Sequence, residues 1–170
     1  MTLYFTSDTH FFDPRVLRID RRPFPDLPSH DAALIANWNA VVSPEDEVWH
    51  LGDFARGTAE MVEALLARLN GTKHLIIGNN DPPETVNAKG WASTQHYAEL
   101  SVDGQLYVLC HYPFRTWNQK GKKSINLHGH SHGQLTPDTR QYDVGVDAQD
   151  FRPRRLEDII ERRRRGKEAP

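Results

Sequence analysis

A single cysteine, Cys110, occurs among 170 residues, so no internal disulfide can form and a reducing, cytoplasmic location is the default expectation. Cys110 lies inside an apolar run, where a buried, inert thiol is expected rather than a nucleophile. No apolar stretch reaches the length of a membrane span, and the N-terminus lacks the basic and apolar regions of a signal peptide. No charge of one sign dominates: the net charge of -2 gives no global attraction to nucleic acid or to a membrane. Internal repeats and linker-like segments are also missing, so the reading is one domain over 1–170, large enough to bury a core.

What is present alternates. Residues 29–42 put Leu34, Ile35, Trp38, Val41 and Val42 on one helical face, with Ser29 as the expected cap and Pro44 past the end. Residues 58–69 do the same with Met61, Val62, Leu65, Leu66 and Leu69, capped by Thr58 and followed by Gly71. Strands are expected at 3–7, 48–52 and 73–77. Further on, 96–102 and 105–110 flank Asp103-Gly104, a hairpin turn signal, and runs at 124–128 and 142–147 follow. Residues 154–165 form an arginine-dense terminal helix, and Gly166–Pro170 a tail expected to fray. The pattern predicts a layered α/β domain with more than one sheet.

Five apolar runs end in residues that bind metal. They are Leu3-Tyr-Phe-Thr-Ser-Asp8-Thr-His10, Val48-Trp-His-Leu-Gly-Asp53, Leu75-Ile-Ile-Gly-Asn79-Asn80-Asp81, Leu106-Tyr-Val-Leu-Cys-His111 and Ile125-Asn-Leu-His-Gly-His130-Ser-His132. Sites in open α/β folds form beyond the carboxyl ends of strands, so these ends are expected to meet. Hydrolysis of phosphate esters needs cations to neutralise phosphoryl oxygens and an acidified water, which a pair of metals about 3.5–4 Å apart supplies. Asp53 is the natural bridging carboxylate, Asn79 offers an amide oxygen, and mixed imidazole and carboxylate donors suit manganese, iron, cobalt, nickel or zinc better than calcium. Any one of these residues alone would read as a turn or surface residue; their joint occurrence reverses that.

At these residues the chain resembles the calcineurin-like metallophosphoesterase superfamily, whose signature is Asp-x-His, Gly-Asp, Gly-Asn-His-Asp/Glu, a lone His and Gly-His-x-His. All five blocks occur in order between residues 8 and 132. Tyr4–Phe11, Asn37–Asn39, Trp49–Phe54, His111–Pro113, Leu127–Gly133 and Asp143–Asp147 further resemble small bacterial and phage members. The resemblance implies a four-layer α-β-β-α sandwich with two mixed sheets. It implies that Asp8, His10 and His132 hold one divalent ion, that Asn79, His111 and His130 hold a second, and that Asp53 bridges them. Manganese is the favoured ion. It implies attack of metal-bound hydroxide on phosphorus in a mono- or diester, the substrate being a phosphorylated small molecule or nucleotide.

One block departs. Where the family has histidine, this chain has Asn80, which can donate a hydrogen bond but cannot act as an acid near neutral pH. General acid catalysis is worth about 100- to 10,000-fold. Either the reaction runs without that acid on labile esters, or His50 or His128 substitutes, or Asn80 stands where a histidine was removed. His50, His128, Asp81 and Asp147 are candidates to support ligands from behind. His30, His74 and His96 have no motif context and read as ordinary structural or surface residues.

The segment 112–123 mixes Tyr112, Phe114 and Trp117 with Arg115 and three lysines, and is expected to face substrate through Arg115 and Trp117. Arg15 and Arg22 are weaker phosphate candidates. Arg162–Arg165 read as a solvated helix end, with nucleic-acid contact weakly supported. Ser7 and Ser131 lack a dedicated base, which argues against serine catalysis. Two alternatives remain open: a small nuclease or nucleotide phosphodiesterase, for which the basic aromatic segment speaks, and a non-catalytic scaffold, against which the intact ligand set speaks.

Overall fold

The computed structural model describes residues 1–136 and 138–168. Strands β1 (Leu3–Thr6), β2 (Glu47–His50), β3 (Thr72–Ile76) and β4 (Trp91–Gln95) form a first sheet in that order, every pairing parallel. Parallel neighbours need crossovers. These carry the helices α1 (Arg15–Arg18), α2 (Leu27–Asn39), α3 (Ala59–Arg68) and α4 (Pro83–Val86). A second sheet has the order β5 (Tyr97–Val102), β6 (Gln105–Cys110), β7 (Ile125–His128), β8 (Gln141–Asp143). Here β5 and β6 are antiparallel and the other two pairings parallel. Asp103 and Gly104, at φ 49° and 77°, make the tight turn that permits the one antiparallel pair. The expected α/β fold with two sheets holds, but only the second sheet is mixed. Every link in the first is a crossover, and its antiparallel contact is an isolated bridge between Phe5 and Arg154.

Strand alternation divides the core in two. One face of the first sheet sends Val48 and Leu75 against Leu34 and Trp38 of α2 and Val62, Leu65 and Leu66 of α3. The opposite face sends Phe5, Trp49 and Ile76 against Ala98, Leu109, Ile125 and Leu127 of the second sheet, with Ile159 of α5 (Leu156–Glu168) closing the cluster. Burying each of the valine, leucine, isoleucine and phenylalanine side chains among these stabilises the fold by about 1.5–3 kcal/mol. The far face of the second sheet is polar at Asn126 and Gln141. Asn126 Oδ1 accepts from the Phe114 N–H (3.3 Å) and from Gln141 Nε2 (2.8 Å), which ties the segment after His111 down onto β7 and β8. Among the described residues no helix is long and apolar enough to cross a membrane.

Several boundaries move. Asp26, not Ser29, caps α2: its carboxylate accepts the Ser29 N–H at 2.8 Å, and the helix stops at Asn39, short of Val42. Thr58 caps α3 as expected, though Met61 is largely exposed. Strand β4 goes unanticipated because its alternation is carried by polar residues. The run 142–147 is strand only to Asp143. Helix α5 continues through Gly166 to Glu168 where fraying was expected; 169 and 170 lie outside the described residues.

Candidate metal centre

Beyond the ends of β1 and β2 the two loops stay hydrogen-bonded. Asp8 N–H donates to Gly52 O (2.9 Å), His10 N–H to Asp53 O (3.0 Å) and Phe11 N–H to Phe54 O (2.9 Å). Asp8, His10, Asp53, His130 and His132 all sit at positive φ, between 47° and 65°. That region disfavours residues with a Cβ, at a cost on the order of 1–3 kcal/mol each, and it persists only where surrounding contacts impose it. The glycines of the motif blocks provide close approach. A Cβ on Gly129 would lie 2.5 Å from Asp8 Oδ2, and one on Gly78 would strike Asp53 Oδ1.

The carboxylates and imidazoles of the five blocks converge. Asp53 Oδ2 lies 3.5 Å from His10 Nε2, and its other oxygen, Oδ1, lies 3.6 Å from His111 Nε2. Asp8 Oδ1 lies 3.8 Å from His132 Nε2. Asn79 Oδ1 lies 3.0 Å from His111 Nε2. Two compact donor groups result: Asp8, His10 and His132, and Asp8, Asp53 and His111. The His130 ring stands 5.2 Å from that of His111, and its backbone N–H donates to both oxygens of Asp8 (3.1 and 3.0 Å).

These residues fit a divalent ion. Donor atoms that share one ion at about 2.0–2.2 Å are separated by about 3–3.6 Å at ordinary bond angles, close to the spacings seen. His10 Nε2 is buried with no hydrogen-bond partner among the described residues, an expensive condition for a ring nitrogen. Burial pushes the Asp8 carboxyl well above its ordinary range, and Asp143 and Asp53 add to this, only partly offset by His132. Like charges crowded in a dry site are what a cation relieves.

Ring orientation is set from behind. His111 Nδ1 bonds the Leu51 carbonyl at 2.8 Å, and His132 Nδ1 bonds Asp147 Oδ2 at 2.8 Å, which leaves each Nε2 for the cluster. Burial pulls the His132 imidazole down, but the Asp147 bond and the charges of Asp8 and Asp20 carry it up to about 9. An ion arriving at His132 must therefore displace a proton near neutral pH. Asp147 is in turn held by Arg22 through Nε (3.0 Å) and Nη2 (2.8 Å). Arg22 also donates to the Asp8 carbonyl (2.6 Å), the Thr9 carbonyl (2.9 Å) and His30 Nε2 (2.9 Å). All five of its N–H groups are taken inside the protein, so Arg22 braces the first ligand loop and has no donor left for a phosphate. His30, expected to be ordinary, is fully buried and passes the network on to Asp31 (2.8 Å).

The remaining supporting candidates are placed differently from expectation. Among the described residues Asp81 bonds no imidazole. Its carboxylate accepts the N–H groups of Asp53 (2.9 Å), Phe54 (2.7 Å) and Gly78 (2.8 Å), clamping the Gly-Asp and Gly-Asn turns together. His50 contacts Thr9 Oγ1 (2.9 Å), between Asp8 and His10, while burial drives its pKa well below the ordinary value. His128 bonds the Gly129 carbonyl (2.8 Å). Neither lines the cavity that holds Asn80, so neither stands in for an acid there. Cys110 is part-buried with its thiol pKa raised by burial, as an inert thiol would be.

A cavity of about 170 Å³ opens at the cluster, lined by His10, Asp13, Arg15, Asp53, Asn79, Asn80, His130 and His132 among others. Arg115 and Trp117 are not part of it. Trp117 is buried, its indole N–H on the Ser124 carbonyl (3.4 Å) and Lys120 Nζ over its ring at 4.4 Å, so this loop covers the second sheet. Tyr112 is the aromatic at the site, exposed and 4.8 Å from the His130 ring. Arg15 is the arginine that lines the cavity. Asn80 links the two sides: Nδ2 donates to Asp53 Oδ2 (2.8 Å), its backbone N–H to Asp53 Oδ1 (2.7 Å), and Oδ1 accepts from Arg15 Nη2 (3.1 Å). Asp13 and Asp20, which also line the cavity, carry no motif signal and were not anticipated.

Two face-to-face sheets that deliver carboxylates, imidazoles and an amide to one rim define a metal-binding α/β domain. The chain belongs to the calcineurin-like phosphoesterase superfamily, whose family model matches residues 1–144. It is 30% identical to the Gene 66 protein of Mycobacterium phage L5, over 85% of this chain and 86% of that one. The Gene 66 protein of Mycobacterium phage D29 is 32% identical, over 86% and 88%. An uncharacterised protein of Methanocaldococcus jannaschii is 28% identical, over 97% and 93%. The crystal structure of a protein of unknown function from Aquifex aeolicus shares the fold with a TM-score of 0.75 at 22% identity, covering 94% of this chain and 97% of that one.

Proposed function

We propose that the protein is a dinuclear metal-dependent phosphoesterase that hydrolyses phosphate mono- or diesters with water. The observation that carries this reading is the placement of Asp53. One oxygen faces His10 and the other faces His111, as a carboxylate between two ion sites would. Asp8, His10 and His132 would hold one ion, and Asn79, His111 and His130 the other. Manganese is favoured, and iron, cobalt, nickel and zinc suit the same donors. Divalent ions in these positions supply Lewis acidity, neutralising phosphoryl oxygens and lowering the pKa of water.

The chain's own residues do the rest. Asp147 and the Leu51 carbonyl hold the His132 and His111 rings with Nε2 toward the cluster. Asp81 and Arg22 hold the backbone that carries Asp53 and Asp8. Asn80 places an amide N–H beside Asp53, where it can donate to a phosphoryl oxygen. The small cavity and the buried Trp117 favour a compact phosphoester over a nucleic-acid strand. The test is metal analysis and a phosphoester panel with manganese, on the wild type and on Asp53→Asn. Two equivalents of metal and turnover in the wild type, with both lost in the variant, are expected. Less than one equivalent and no hydrolysis of any ester would overturn the reading in favour of a scaffold.

A further inference from the structure

We propose that Arg15 is the group that binds the departing or phosphoryl oxygen in this site, and that with Asn80 it restricts the enzyme to esters with weakly basic leaving groups. This rests on the phosphoesterase reading above.

The guanidinium is fixed before any ligand arrives. Asp13, almost fully buried, takes Nε (2.9 and 3.0 Å) and Nη2 (2.6 Å) in a two-pronged contact. The second Nη2 hydrogen goes to Asn80 Oδ1 at 3.1 Å. Three of the five N–H groups thus set the plane of the fork. The two on Nη1 have no protein partner among the described residues, and the side chain is 38% exposed on the wall of the cavity that holds His10, Asp53 and Asn80. An ordered fork with two free donors beside the cluster suits an anionic oxygen, and its entropy of ordering is already met by Asp13.

Arginine stays charged, so this contact stabilises negative charge and transfers no proton. Asn80 cannot transfer one either. In the step, water supplies the oxygen that phosphorus gains and gives up a proton to solvent. The ester P–O bond breaks with its electron pair going to the departing oxygen. That oxygen leaves as an anion beside Arg15 and takes any proton from solvent afterwards. Weakly basic leaving groups tolerate this: aryl esters and phosphoanhydrides do, and simple alkyl esters do not.

The experiment compares the wild type, Arg15→Ala and Arg15→Lys, all loaded with manganese. It reads kcat/KM for p-nitrophenyl, phenyl and alkyl phosphates, and affinity for inorganic phosphate by calorimetry. Removing one preorganised donor at a developing oxyanion lowers kcat by about 100- to 1,000-fold. A loss of that order is expected in Arg15→Ala, larger for phenyl than for p-nitrophenyl phosphate. Phosphate should bind about tenfold more weakly, free guanidinium should partly restore the rate, and lysine should not fully replace arginine. The wild type should show little turnover of alkyl esters. Arg15→Ala within twofold of an active wild type, in both rate and phosphate affinity, overturns the role of Arg15 and leaves the phosphoesterase reading standing. Alkyl and aryl esters turned over equally by the wild type overturn the leaving-group restriction. A wild type that holds metal yet turns over no ester overturns both readings.

Discussion

Replacing Arg22 with methionine separates the phosphate-binding role for which the sequence makes it a weak candidate from the bracing role its contacts give it. If Arg22 bound phosphate, Arg22→Met would raise KM and leave stability unchanged. The structure gives the opposite expectation. The side chain is fully buried, with all its donors on Asp147, the carbonyls of Asp8 and Thr9, and His30. Removing one partner of a buried ion pair destabilises by about 3–5 kcal/mol. Each carbonyl left without a partner adds on the order of 1 kcal/mol or more, and these terms overlap because they share one network. A total of about 4–5 kcal/mol is a large part of the stability of an ordinary domain. For a chain of this size that lowers Tm by roughly 8–20 °C. Manganese binding should also weaken about 10- to 100-fold, because Asp147 then holds His132 less firmly. Thermal unfolding by circular dichroism, in EDTA and in manganese, measures both effects. Arg22→Lys keeps a charge near Asp147 and should fall between. A variant that melts within about 3 °C of the wild type while its KM rises would refute the reasoning and return Arg22 to the substrate.

Asn80→His restores an imidazole where the present side chain cannot act as an acid. Turnover should rise by about 100-fold or more, with a larger gain for diphenyl than for bis-p-nitrophenyl phosphate. Equal or lower steady-state rates on both would remove the missing acid as an explanation. The pair His132–Asp147 makes a pH prediction for protein stripped of metal. Burial lowers the His132 pKa, but Asp147, Asp8 and Asp20 lift it to about 9, so its contribution is full below its ordinary value of 6.5 and lost as pH rises through about 9. Burial raises the Asp147 pKa, but His132 and Arg22 bring it to about 2, so its contribution is full above 3.8 and lost as pH falls through about 2. The destabilisation caused by Asp147→Asn in EDTA should thus be greatest between about pH 4 and 6.5. At about pH 9.5 the difference in urea midpoints should be smaller, and an equal or larger difference there would contradict the assignment.

Much of the site is legible in the chain because its information is local. An apolar run followed by Asp, Asn or His marks a strand end, and Asp103-Gly104 marks a hairpin whatever surrounds it. Helix α3 and its Thr58 cap follow from spacing alone. The five blocks, read in order, name the residues that the structure gathers at one rim. They also expose the odd position, Asn80, with no coordinate needed.

What the chain alone leaves open depends on partners far away in sequence. Arg22 and Arg15 look alike as arginines that follow the first block. Asp147, 125 residues distant, draws Arg22 inside, while Asp13 and Asn80 hold Arg15 in the cavity. Arg115 and Trp117 look like a substrate loop until Asn126 of β7 and Gln141 of β8 bind Phe114, between Tyr112 and Trp117, and Trp117 is buried. Asp81 looks like a turn former until Asp53 and Phe54 supply N–H groups from nearly thirty residues away. The strained backbone at Asp8, His10, Asp53, His130 and His132 is not marked by the spacing of the motif blocks; the contacts around the cluster hold it there. Residue type and short spacing therefore determined the chemistry available to this protein. Burial and long-range hydrogen bonding decided which charged groups brace the site and which remain free to meet a substrate.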